Sequence, residues 1–222
     1  MKYTEDIKSA YISLEEQNEK LVERYIKPHK SNIGSVDNDF LLDVKSYLVL
    51  LHAAIEDYVE GISVFSSKAA CDIFKDKGII TIPFLFLFQK SDSLKKRLKI
   101  KKGKITDSPK EFILSNLKEI HQITIQNAII NNGINTMYLN SLLQKCGINF
   151  DTTAKEFDGW KKLADYRGDY AHAVLFHNGR KPRANRILTP EAAEDIGSDC
   201  ISFCLHLKEE ALAALAWEIE KK

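Results

Sequence analysis

LLDVKSYLVLLHAAIEDYVEGISVF, residues 41–65, is the stretch that decides the fold. Leu41, Val44, Leu48, Leu51, Ile55, Tyr58, Ile62 and Phe65 recur at three- and four-residue steps. That spacing lays side chains along one face of a 3.6-residue helix, here over about seven turns. Leu50, Ala53, Ala54 and Val59 widen the stripe, so a long helix with much of its surface buried is expected. Within this apolar run stand His52 and Glu56, one turn apart. A carboxylate in such a setting must be paired, hydrogen-bonded or protonated. The plainer reading is an intrahelical His–Glu pair at the edge of the core. The sharper one makes Glu56 part of a site.

The neighbouring segments repeat the helical pattern. Ile7, Tyr11, Leu14, Leu21, Val22 and Tyr25 predict an amphipathic helix over residues 3–26, ended by Pro28 and a polar stretch from which Asn38 or Asp39 can cap the long helix. That helix should continue to about Phe74, where KDKG turns the chain. IITIPFLFLF, residues 79–88, is a buried strand or a short helix by periodicity alone; Pro83 disfavours a central strand, and a short, irregular helix is expected. Lys95 to Lys104 (KKRLKIKKGK) is a dense basic patch, a solvated loop or a contact for a phosphate backbone.

Beyond it, Ser108-Pro109-Lys110-Glu111 forms a capping box with Pro at the first helical position. The helix it opens closes at Asn132-Gly133. A shorter helix follows Thr136 and stops at Gly147, and Thr153 with Glu156 signals another. The last helix starts at Thr189-Pro190-Glu191 and carries Ile196, Ile201, Phe203, Leu207, Leu212, Leu215 and Trp217. No repeat and no linker divides the chain. The expectation is one all-α domain over residues 1–222, with residues 1–37 an N-terminal helix and loop, residues 38–222 the core, and a short irregular insertion in the middle.

Composition narrows the function classes. Thirty-two Lys and Arg stand against 31 Asp and Glu, a net charge of +1, so any nucleic-acid surface must be local. Cys71, Cys146, Cys200 and Cys204 contain no CxxC pair and are expected as buried free thiols in a reducing compartment. The N-terminal MKYTEDIKSAY lacks the apolar core of a secretory leader, and the longest apolar run is too short to span a bilayer. A cytoplasmic protein with no membrane contact is expected. No Walker loop, dinucleotide turn, HExxH or GxSxG is present, and no cofactor or metal site is expected.

The chemistry gathers in WKKLADYRGDYAHAVLFHNGRKPRANR, residues 160–186. Arg167 cannot lose its charge, whereas His172 titrates near neutral pH. Together they suit an anionic substrate, with Arg holding a phosphate and His moving a proton. On an ideal helix a five-residue step leaves the two about 140° apart, so they flank a groove unless Gly168 loosens the turn. A second copy across a two-fold axis would complete such a groove. Asp165 and Asp169 can orient either group. Arg180, Lys181, Arg183 and Arg186 form a basic loop that would hold a phosphate backbone or is simply solvated. His177 is expected as a surface or RNA-contact residue rather than a second catalyst.

Two stretches resemble the HEPN superfamily of helical bundles, whose ribonuclease members carry Arg-x4–6-His; here that is Arg167-Gly-Asp-Tyr-Ala-His172. LVLLHAAIEDYVEGI resembles the first core helix of its RiboL-PSP-HEPN branch, with Glu56 at the acidic position. The resemblance implies a HEPN-like bundle and a metal-independent endoribonuclease. It would be a homodimer in which Arg167 and His172 of both copies form the catalytic site, supported by Glu56 and Asp169. It implies RNA as substrate and a role as a toxin or anti-phage defence effector. Two departures stand out. Many members have Asn, Asp or His after the Arg, where this chain has Gly168. Val174 replaces the Tyr common in toxins neutralised by a nucleotidyltransferase, which argues against that control.

Three readings follow. One is the ribonuclease. Another is a non-catalytic helical module that holds RNA, a nucleotide or a protein. The third is an effector controlled by an antitoxin or defence-system partner.

Overall fold

The computed structural model describes residues 3–30, 39–90, 100–101, 104–105, 109–172 and 188–216. Helix α1 (Glu5–Tyr25) and a 3₁₀ turn (Lys27–His29) precede α2 (Asp39–Lys77) and α3 (Ile82–Lys90). Two two-residue strands, β1 (Ile100–Lys101) and β2 (Lys104–Ile105), pair antiparallel with Ile100 opposite Ile105. Then come α4 (Pro109–Ile129), α5 (Thr136–Leu142), a 3₁₀ turn (Gln144–Cys146), α6 (Glu156–His172) and α7 (Pro190–Ala216). The all-α expectation holds, with the short strand pair at the end of the basic patch.

Helix α2 is the axis of the bundle, with each of the other described α-helices packed against it. Val44, Leu48, Leu51, Ile55, Tyr58 and Ile62 are buried as the periodicity requires, and each Leu or Ile so buried contributes roughly 1.5–3 kcal/mol. Two expected members of the stripe are not there: Leu50 and Ala53 are exposed. Tyr47 widens it instead, fully buried, with its hydroxyl donating to Asn18 Oδ1 at 3.0 Å. Gly197 of α7 makes room for it, since a Cβ there would stand 1.9 Å from the Tyr47 hydroxyl. The four cysteines are buried and free.

Several boundaries differ from the sequence reading for local reasons. Residues 82–90 form a regular helix, because Pro83 falls in its first turn, where a missing N–H costs nothing. Asn135, rather than Thr136, caps α5, accepting from the Tyr138 N–H at 3.1 Å. Thr153 builds no capping box: its N–H and hydroxyl both donate to Asp151 Oδ1 at 2.7 Å, a turn that competes with helix entry. Helix α6 therefore starts at Glu156. Thr189 does cap α7, accepting from the Ala192 N–H at 3.2 Å. Asn38, Ser108 and Trp217 lie outside the described residues.

Candidate functional site

Helix α6 is fastened by its first half. Phe157, Trp160 and Leu163 are buried, and Trp160 stacks edge-on against Phe203 of α7 with ring centres 5.0 Å apart. Its indole N–H donates to the Ile134 carbonyl at 2.6 Å. Gly159 sits under Asp199 so closely that a Cβ would meet the Asp199 Cβ at 2.4 Å. Arg167 follows Trp160 by seven residues, two turns with a drift of only about 20°. The anchored face therefore carries Arg167 along α2. Farther on, Lys45 of α2 lies over the Tyr170 ring at 5.4 Å. The order of these contacts makes α6 antiparallel to α2.

The part of α2 that Arg167 meets is polar. His52 is buried and Glu56 partly so, with Nδ1 and Oε2 3.8 Å apart, beyond hydrogen-bond length. Burial, and then the positive charge of Arg167, push the His52 imidazole down to about 4. The two residues thus form the intrahelical pair of the plainer reading, as a contact whose imidazole is uncharged at pH 7. Burial and the negative charge of Glu60 hold the Glu56 carboxyl above the usual carboxylate range, against the opposing pull of Arg167. Arg167 thus acts electrostatically on both members of the pair.

One turn beyond Glu56, Glu60 accepts a hydrogen bond from Asn131 Nδ2 at 2.8 Å. The same Nδ2 donates to the Gly133 carbonyl at 3.0 Å. The amide orientation is fixed by these two acceptors, and it leaves the buried Asn131 Oδ1 without a partner among the described residues. Neither Glu60 nor Asn131 stood out in the sequence. The available signal was the four-residue series His52, Glu56, Glu60, and Asn131 was hidden in a helix-stop motif.

Of the residues expected from sequence, the fold brings Arg167 within electrostatic reach of Glu56, with no ion pair between the two among the described residues. Helix α6 is continuous through Gly168, so that glycine does not loosen the turn, and the helical positions of Arg167 and His172 keep their offset of about 140°. Asp169 is half-buried; its position is about 160° from that of Arg167 and about 60° from that of His172. Its helical position is therefore nearer that of the histidine than that of the arginine. With burial and Tyr166, its charge pushes the Tyr170 hydroxyl up to about 12. The side chain of His172, together with His177, Arg180, Lys181, Arg183 and Arg186, lies outside the described residues.

Among the described residues no group of three His, Cys, Asp or Glu side chains is placed to hold a metal ion. No helix of these residues is long and apolar enough to cross a membrane. No curated protein and no solved structure matches the chain. The RiboL-PSP-HEPN family model matches residues 13–213, a span that takes in the carboxylate helix, the motif helix and nearly all of α7. The chain belongs to the RiboL-PSP-HEPN family, a branch of the HEPN superfamily.

Proposed function

We propose that this protein is a metal-independent endoribonuclease working as a homodimer. The observation that carries the reading is the placement of Arg167, on α6, within electrostatic reach of the partly buried Glu56 carboxyl on α2. A guanidinium near a carboxylate keeps its donors for a phosphate. In the proposed reaction His172 takes the proton from a ribose 2′-hydroxyl, whose oxygen then attacks the adjacent phosphorus. Arg167 stabilises the charge building on the phosphate oxygens, and the 5′-oxygen leaves with a proton, from His172 of the second copy or from water. The products are a 2′,3′-cyclic phosphate and a 5′-hydroxyl. Arg180, Lys181, Arg183 and Arg186 hold the RNA backbone.

The homodimer is supported by the surface next to this site. Leu42, Val49 and Ala53 are exposed on α2; on an ideal helix they fall within about 40° of one another and about 40° round from Glu56. A second copy docked there by a two-fold axis brings two Arg167 and two His172 to one groove. Action as a toxin or anti-phage effector, alone or under a partner's control, is proposed on the family membership alone.

The test is incubation of purified protein with total RNA in EDTA, followed by end-group analysis. Cleavage to cyclic phosphate ends, abolished by Arg167→Ala and by His172→Ala, supports the reading. Cleavage that requires Mg²⁺ or survives both substitutions overturns it. RNA retention without cleavage favours the binding-module alternative.

A further inference from the structure

The corner between α4 and α5 touches both halves of the candidate site. Asn131 at its start donates to Glu60 of α2 at 2.8 Å. Ile134 at its end accepts from the Trp160 indole of α6 at 2.6 Å. Between them Gly133 takes a φ of +147°, a conformation that a side chain would strain, and its carbonyl receives the second Asn131 hydrogen bond. The corner is bonded to itself, to the carboxylate helix and to the motif helix, so it fixes the spacing of the two helices.

We propose that Glu60 and Asn131 are positioning residues of the Arg167 site, a polar strut that holds the Glu56 carboxyl in place before the motif arginine. Asn131 spends its amide donor on Glu60 although its own Oδ1 is left buried and unpartnered among the described residues, an arrangement that costs stability. An Ala or Leu would fill the corner without that cost. What the amide supplies is a fixed Glu60 carboxylate one turn from Glu56. The groups acting on Glu56 are then His52 and Glu60 from its own helix and Arg167 from α6. The catalytic part of this inference rests on the ribonuclease reading; the geometric part does not.

The experiment follows the Glu56 carboxyl by ¹³C NMR through a pH titration, in wild type, Glu60→Gln and Asn131→Ala, with thermal melts of each. It is paired with cleavage kinetics on a single-stranded RNA oligonucleotide in EDTA. Glu60→Gln keeps the shape and can still accept from Asn131, but removes the like charge, so the Glu56 midpoint falls. Asn131→Ala releases Glu60 towards solvent, and the midpoint moves the same way. Asn131→Ala lowers kcat by about tenfold or more and leaves KM nearly unchanged, as misplacement of a reacting group does, while Glu60→Gln, which keeps the bond to Asn131, changes kcat less. A Glu56 midpoint unmoved in either folded variant overturns the strut. If Asn131→Ala does not fold, Glu60→Ala, which removes the acceptor as well as the charge, takes its place and must show the same loss of kcat. If wild type cuts no RNA, the ribonuclease reading falls while the titration still decides this one.

Discussion

Nδ1 of His52 stands 3.8 Å from Oε2 of Glu56, and the imidazole between core and carboxyl is neutral. Its folded pKa of about 4 lies below the ordinary 6.5, so the unfolded chain binds more protons between those values. The stability from neutral His52 is complete above about pH 6.5 and drains as the pH falls towards 4, by on the order of 3 kcal/mol. Glu56 works in the opposite sense, since its raised pKa lets the folded protein take up a proton more readily in acid. Urea denaturation at about pH 7 and about pH 5 should show His52→Gln losing clearly less stability than wild type over that range. Equal losses would refute the buried neutral imidazole.

Arg167 lowers the pKa of both His52 and Glu56. In Arg167→Ala both groups should titrate at higher pH than in wild type, read by NMR of the ring and the carboxyl. Because Arg167 is exposed, the melting temperature should change little. A large loss of stability, or unmoved titrations, would show that the arginine lies elsewhere in solution.

Trp160→Phe keeps most of the buried ring but deletes the N–H that reaches the Ile134 carbonyl. The buried acceptor left behind should cost about 1–3 kcal/mol, seen as a lower urea midpoint with an unchanged slope. Wild-type stability would mean the carbonyl finds water.

Gly197→Ala places a methyl against the Tyr47 hydroxyl and should destabilise the crossing of α2 and α7 by about 1–3 kcal/mol. Tyr47→Phe removes the closest atom, so the double variant should be more stable than the sum of the two losses. Simple additivity of the midpoint shifts would count against this close approach.

The long apolar stripe of α2 was legible because burial and periodicity speak together there, residue after residue. Leu50 and Ala53 misled because hydrophobicity does not say which side of a helix is covered, and that is settled by where α1, α6 and α7 lie. The Thr189 cap was readable from three residues. Thr153 was not, because Asp151 outcompetes the helix for its donors. At the site, a supporting place for Glu56 was suggested by the family resemblance and by nothing local, and only the fold puts it within electrostatic reach of Arg167. Glu60 and Asn131 escaped because each looks ordinary alone, and only the folded corner puts an amide beside a carboxylate.

Helix α2 runs unbroken for 39 residues and carries His52, Glu56 and Glu60 on the same rod that organises the core. Local opening reaches elements with few buried contacts, while a central helix opens only with the whole domain. The carboxylate half of the site therefore cannot be melted or swung aside to silence the protein. Control has to act on what meets it: the end of α6, the segment that follows, or the molecule docked against them.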